Sequence, residues 1–249
     1  MKIFATYNIK GGVGKTAAAV NLSYVAAQEG ARALVWDLDP QGAASFYFRI
    51  KAKIQGGTKR LVAGKSELDP LIKGTDFPGL DLLPADFSLR HLDRALDGTK
   101  KPAQILAQLL QDLEGQYDFL FLDCPPSISL ASRSVFVACD ALLVPTIPTP
   151  LSLRTLDQLA GHLKKKGPKR LRVLPFFCMV DRRKILHRNI LEQRDDLPMP
   201  ALETTVPYST YVEQMGIHRA PLGSFAHRSA AAESYRSLWK EILLQAKAS

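Results

Sequence analysis

The residues best suited to chemistry lie near the start of the chain, in the run Lys10-Gly11-Gly12-Val13-Gly14-Lys15-Thr16. A glycine-rich turn ahead of a helix offers an anion several backbone N–H groups and the positive end of the helix dipole, and residues without a Cβ curl around it at low cost. In a P-loop one lysine reaches the β and γ oxygens of a nucleotide and a hydroxyl ligates magnesium. Lys15 and Thr16 fill those two roles, within a phosphate-binding set of Gly11, Gly12, Val13, Gly14, Lys15, Thr16 and Ala17. The strict pattern wants glycine where Ile9 stands, and Lys10 is a cation in excess. Phosphates already served by Lys15 have little use for Lys10, unless it reaches a nucleotide held by a facing subunit.

Two acidic runs accompany the turn. Leu34 to Gly42 reads as a strand ending in Asp37 and Asp39, carboxylates that can hold the waters of Mg2+ or orient an attacking water. Phe119-Leu120-Phe121-Leu122-Asp123 is four apolar residues ending in aspartate, the Walker-B pattern, whose carboxylate supports a magnesium shell.

These residues need elements that bring them to one edge. Strand-like runs fall at Lys2–Asn8, Ala33–Asp37, Leu80–Leu83, Phe119–Asp123, Ala141–Thr146, Leu171–Val180 and Leu202–Val206. Helix-period segments lie between most of them: Thr16–Glu29, closed by Gly30 as a C-cap, Leu151–Lys166 and Arg183–Arg194. Apolar strands alternating with helices predict an α/β fold, a single doubly wound and mostly parallel sheet flanked by helices, with ligands beyond the carboxyl ends of the strands. The last helix gathers Ala231, Ala232, Tyr235, Leu238, Trp239, Ile242 and Leu243 on one face, a core-packing stripe. The stretch 48–79 is the least regular.

A chain of 249 residues suits one large domain, so residues 1–249 are expected to act as a single unit. Hydrophobic content of 46% and charged content of 23% are ordinary for a globular protein, and no apolar run approaches a membrane span. A cytoplasmic location is expected. Three cysteines, Cys124, Cys139 and Cys178, without CxxC spacing, argue against a metal centre or a secreted disulfide scaffold. The net charge of +9 is uneven: residues 150–249 carry 17 Lys and Arg against 9 Asp and Glu, while residues 1–149 carry 16 against 15. Such asymmetry points to a polyanionic partner.

In these motifs the chain resembles the ParA/MinD family of deviant Walker-A ATPases, and more closely its ParA branch. The resemblance runs through Lys10–Thr16, Asp37–Gly42, Gly79–Ala85, Asp123–Ser127, Val144–Thr146, Met179–Arg183, and Ala220–Leu222 through Tyr235–Arg236. It implies a slow, switch-like Mg2+-dependent ATPase in which ATP joins two subunits face to face as a homodimer, with Lys10 contacting phosphate across the interface. Catalysis would then rest on Lys10, Lys15 and Asp39, with Asp39 positioning the hydrolytic water. Thr16 would bind Mg2+ directly, supported by Asp37 and Asp123. The adenine would lie near Met179, Pro207 and Tyr208. Ala17 departs from relatives that carry a second hydroxyl there, and the missing hydrogen bond weakens nucleotide binding by about 0.5–1.5 kcal/mol.

The resemblance also implies that the ATP dimer binds DNA without sequence preference, placing it on the nucleoid, and that a ParB-like or other adaptor protein on a cargo stimulates hydrolysis. Two basic groups compete for DNA. Arg182, Arg183, Lys184 and Arg188 follow a strand end on the nucleotide side, where dimerisation would assemble them with Arg219 and Arg228; these six are the expected DNA contacts. The denser group, Lys164–Arg172, falls at the sheet end away from ATP. No helix-turn-helix precedes the P-loop, so operator-specific repression is not expected. The alternative function is that of a MinD-like spatial regulator on a membrane surface. The last helix, which mixes Glu233, Arg236, Lys240 and Glu241 on its polar face, argues against a membrane anchor.

Overall fold

A computed structural model describes residues 1–51, 57–65 and 67–247. Of the irregular stretch expected over 48–79, residues 52–56 and 66 lie outside the described residues. β1 (Lys2–Thr6) runs into the glycine turn, and α1 (Lys15–Gln28) carries the chain back. β2 (Ala33–Asp37) leads to α2 (Ala43–Tyr47) and α3 (Gly57–Val62), and the short β3 (Lys73–Gly74) and β4 (Leu80–Leu83) precede α4 (Leu92–Asp97) and α5 (Ile105–Gln111). Then come β5 (Phe119–Asp123), α6 (Leu130–Ala138), β6 (Ala141–Thr146), α7 (Pro150–Lys166) and β7 (Arg172–Phe177). The helices α8 (Ile185–Glu192), α9 (Thr210–His218), α10 (Leu222–Phe225) and α11 (Ala230–Lys247) follow.

The strands form one seven-stranded sheet in the order β3-β4-β2-β5-β1-β6-β7. Every pairing is parallel except that of β3 with β4. This is the expected doubly wound α/β sheet. Pro145 and Pro175, which cannot donate to a ladder, sit where no donor is needed: Pro145 lies past the stretch of β6 that pairs with β1, and Pro175 lies on the edge strand β7.

The two faces of the sheet bury separate cores. On one, Phe4, Val35 and Phe121 pack with α1 and α11; on the other, Ala5, Leu34, Trp36 and Leu120 pack with α5, α6 and α7. Side chains alternate along each strand, so neighbouring residues such as Phe4 and Ala5 face opposite cores. Trp239 anchors the first core, its ring 4.8–5.7 Å from those of Phe119, Phe121 and Phe4, and the predicted stripe of α11 is buried around it. Gly30 closes α1 as expected: at φ 90° it turns the chain so that its N–H and that of Ala31 meet Ala27 O and Ala26 O.

Two departures from the sequence expectation concern strands. Leu202–Val206 is not a ladder strand. It follows β7 through widely spaced bonds, Leu202 N–H to Pro175 O and Val206 N–H to Phe177 O. The Glu241 carboxylate of α11 captures the Glu203 and Thr204 amides between them, at 2.7 and 2.9 Å. In addition β3, only two exposed residues long, adds an antiparallel edge that no periodicity announces.

Candidate functional site

Parallel register sets three strand ends side by side. Thr6 is paired with Asp123, and Asp123 with Asp37. All three are fully buried at the carboxyl edge of the sheet, directly after which the glycine turn begins. Gly12 and Gly14 take φ 70° and 88°, left-handed values that side-chain-bearing residues adopt only at a cost.

Side chains from elsewhere pin the turn. Asn8 Oδ1 accepts the Lys10 N–H at 2.9 Å, while Asn8 Nδ2 donates to Pro145 O at the end of β6, also at 2.9 Å. The Cys178 thiol, just past β7, donates to Val13 O at 3.0 Å. Burial pushes the pKa of that thiol up to about 12, so it remains a donor. Tyr7 O–H bonds Ser127 O at 2.8 Å and ties the start of the turn to the Pro125-Pro126 loop. None of these three side chains was singled out for such a role by sequence; their partners lie up to 165 residues away.

The two lysines separate. Lys15 is buried at the first turn of α1, its ammonium donating to Lys10 O at 3.2 Å. Burial lowers its pKa, opposed chiefly by the Asp123 charge. Lys10 is half-buried, and its ammonium turns to Ser152 Oγ at 3.3 Å, at the start of α7. Ser152 is itself wholly buried and also takes the Thr149 hydroxyl at 3.0 Å.

The carboxylates divide as sharply. Asp37, expected in the magnesium shell, is already held by protein donors. Its Oδ2 accepts the Ser45 N–H at 2.8 Å and the Ser45 hydroxyl at 2.7 Å, and its Oδ1 the Asp39 N–H at 3.3 Å. Ser45 Oγ in turn accepts the Ala85 N–H at 2.8 Å, so one carboxylate joins β2, α2 and the loop after β4. Asp123 is the opposite case: Oδ1 accepts from Thr6 Oγ1 at 3.3 Å, but the buried Oδ2 has no hydrogen-bond partner among the described residues. Burial raises its pKa and the Asp37 charge raises it further, while Thr16 and Lys15 pull it down. A buried, unpartnered carboxylate oxygen beside a hydroxyl is the donor set that a hard divalent cation takes, so these residues fit magnesium. Asp39 is less buried, and its Oδ1 accepts the Gln41 N–H at 2.9 Å.

On the expected adenine side, Met179 packs on the glycine turn, its Cε 3.9 Å from where a Cβ on Gly14 would stand. Met179 also has φ 53°, a left-handed conformation held by the turn out of β7. Pro207 bridges Val180, and both line a cleft of about 330 Å³ with Arg182, Arg183 and Tyr208. Tyr208 is half exposed and its hydroxyl donates to Glu213 at 2.7 Å.

The six expected DNA cations occupy three places within a subunit. Arg182, Arg183, Lys184 and Arg188 are exposed together after β7, where Arg188 Nη1 bonds Arg182 O and Arg183 forks onto Asp181. Arg219 lies over the Phe46 ring of α2 at 4.7 Å and donates Nε–H to Phe46 O. Arg228 is exposed in the turn before α11, next to His227, which lines a cleft with Gln28 and Glu29 at the far end of α1.

Comparison with known proteins bears on this site directly. The family described as an AAA domain matches residues 1–171, well over half the chain. Along 251 residues the chain is 30% identical to the sporulation initiation inhibitor protein Soj of Bacillus subtilis (strain 168), covering 97% of this chain and 98% of that protein. The chain belongs to the ParA/MinD family of deviant Walker-A ATPases. It is also 29% identical over 260 residues to the chromosome partitioning protein ParA of Caulobacter vibrioides (strain NA1000 / CB15N), covering 98% of this chain and 94% of that one. Among solved structures, cobyrinic acid a,c-diamide synthase from Mycobacterium smegmatis with bound ATP analog and magnesium is similar at TM-score 0.83 and 25% identity, over 100% of this chain and 96% of that one. The glycine turn with the buried Lys15, pinned by Asn8, and the Asp123 strand end thus stand side by side in a ParA-like ATPase. Among its described residues no helix is long and apolar enough to cross a membrane.

Proposed function

We propose that the whole chain, residues 1–249, acts as one ParA-type ATPase domain that dimerises on ATP, binds DNA without sequence preference and positions a cargo through partner-stimulated hydrolysis. The observation that carries this reading is the division of the lysines. Lys15 occupies the phosphate turn, whereas the Lys10 ammonium is turned to a neutral hydroxyl on α7. A cation so placed is available to a phosphate outside its own turn.

ATP is the substrate and Mg2+ its metal, in keeping with the ATP analog and magnesium in the similar synthase. The N–H groups of Gly11 to Ala17 and the Lys15 ammonium hold the phosphates, and Met179, Pro207 and Tyr208 border the base. Thr16 and Asp123 would hold the metal, which when bound neutralises charge on the β and γ oxygens. Asp37 acts from behind, through Ser45, by fixing the loop that carries Asp39. Asp39 orients the water, its carboxylate steadied by the Gln41 N–H. DNA phosphates meet Arg182, Arg183, Lys184 and Arg188, joined across the dimer by Arg219, whereas Arg228, expected with them, sits beside the far end of α1 and falls outside this surface. The relatives named for chromosome partitioning support the positioning role, and the same reading calls for a ParB-like adaptor and a cytoplasmic, nucleoid-associated location.

Light scattering on Asp39→Ala, saturated with ATP or with ADP, tests the dimer. Mass should double with ATP alone, Lys10→Ala should abolish that doubling, and plasmid retention should appear only in the ATP sample. Equal mass in both nucleotides would overturn the reading.

A further inference from the structure

Helix α7 spans 17 residues, and at 1.5 Å per residue it carries the chain about 21 Å from the Lys10 contact at Ser152 to its last residue, Lys166, at the opposite edge of the sheet. Its last turn is Lys164-Lys165-Lys166, and the loop into β7 adds Lys169, Arg170 and Arg172. No carboxylate occurs between residues 158 and 172. The four lysines and Arg170 are exposed, and none forms an ion pair among the described residues. Their field reaches inward: His162, one turn before the lysines, has its pKa lowered by burial and then by Lys166 and by Arg133 of α6.

A cationic last turn complements the helix dipole, but that interaction fades within the turn and accounts for neither Lys169 nor the arginines beyond it. The arginines are braced rather than loose. Arg170 Nη2 donates to Val137 O at 2.7 Å, and Arg172 donates to Gln245 O of α11. Bracing by backbone carbonyls leaves their charge without a carboxylate partner. The patch also lacks what a lipid surface would require, since no large exposed apolar side chain falls between residues 152 and 184. Uncompensated cations without an inserting hydrophobe suit a phosphate backbone.

We propose that this trailing edge is a second duplex-binding surface, so that one assembly holds two DNA segments at once. About 21 Å exceeds the ~8 Å screening length at physiological salt, so the two ends act as separate electrostatic sites. The proposal goes beyond the DNA role of the Arg182–Arg188 edge and stands or falls apart from it.

The test uses the full chain with ATP, a bead-tethered plasmid and a free fluorescent 30-base-pair duplex. Wild type should carry the free duplex onto the beads. The quadruple variant Lys164→Gln, Lys165→Gln, Lys166→Gln, Lys169→Gln should still bind the plasmid, yet lose co-capture at least tenfold. The corresponding quadruple arginine variant should restore it. At about 0.9 per phosphate contact, the salt slope of duplex binding should shrink by about 3–4 in the glutamine variant. Co-capture that is absent in wild type, or unchanged in the glutamine variant, overturns the proposal. So does a loss of binding to anionic phosphatidylserine vesicles without any loss of duplex co-capture. The leading-edge variant Lys184→Glu/Arg188→Glu separates the two readings: if it leaves ATP-dependent plasmid binding intact, the leading-edge assignment fails while the trailing site stands.

Discussion

Replacing Ser45 by alanine tests the clamp that ties β2 and α2 to the loop after β4. The hydroxyl lies in a buried position, donates to Asp37 Oδ2 at 2.7 Å and accepts the Ala85 N–H at 2.8 Å. The variant keeps the Ser45 backbone donor to Asp37 but loses both hydroxyl contacts. A hydrogen bond to a carboxylate contributes about 1.5–3 kcal/mol, and a buried N–H left without an acceptor costs about 1–3 kcal/mol. Because the cavity is small and relaxation recovers part of the loss, a net destabilisation of about 2–4 kcal/mol is expected. For a chain of this size that lowers Tm by about 4–16 °C. The assay is thermal unfolding of wild type, Ser45→Ala, Asp37→Asn and the double variant without nucleotide. Residues in direct contact should couple by about 0.5–3 kcal/mol. A Tm loss under about 2 °C, or strict additivity in the cycle, would refute the claim that Asp37 is a structural clamp.

Two further outcomes are expected. Gly14→Ala places a Cβ at only ordinary distance from Cys178 Sγ and Met179 Cε, 3.8 and 3.9 Å, so its cost is the left-handed backbone, about 1–2 kcal/mol; calorimetry should show a Tm lower by several degrees together with loss of ATP binding, and unchanged values in both would contradict it. His187 accepts the Asp181 N–H on Nδ1 at 3.0 Å, and its pKa lies below the ordinary 6.5 because of burial and then Lys184, with the Asp181 charge opposing. A depressed folded pKa means stability present above pH 6.5 and lost as pH falls below it. Urea midpoints at pH 7.5 and 5.5 should therefore differ less in His187→Asn, whose side-chain oxygen still accepts that N–H, than in wild type.

Local pattern carried much of the fold and of the site. Six of the seven sheet strands are apolar runs of four to six residues that any parallel sheet must bury, and the glycine turn and acidic strand ends are contiguous motifs. The failures share a cause, which is competition from a distant side chain. Leu202–Val206 has strand composition, but Glu241, 37 residues beyond Thr204, takes the amides a ladder would use. The Ser45 donors that engage Asp37 were likewise marked by no motif. The contacts of Asn8 with Pro145 and of Lys10 with Ser152 span 137 and 142 residues, beyond the reach of any spacing rule.

The same contacts explain why the site responds to a ligand. Asp37 accepts from protein donors, while the Asn8 amide and the Cys178 thiol donate to backbone carbonyls, and these bonds fix the loops whether or not anything is bound. Two demands stay open at the edge: the buried Asp123 oxygen without a partner, and the Lys10 charge facing only a hydroxyl. An unpartnered buried oxygen costs the subunit about 1–3 kcal/mol, and more where it carries charge. A ligand that supplies a cation to the first and an anion to the second removes both penalties and binds the folded state selectively, so its binding energy enters stability directly.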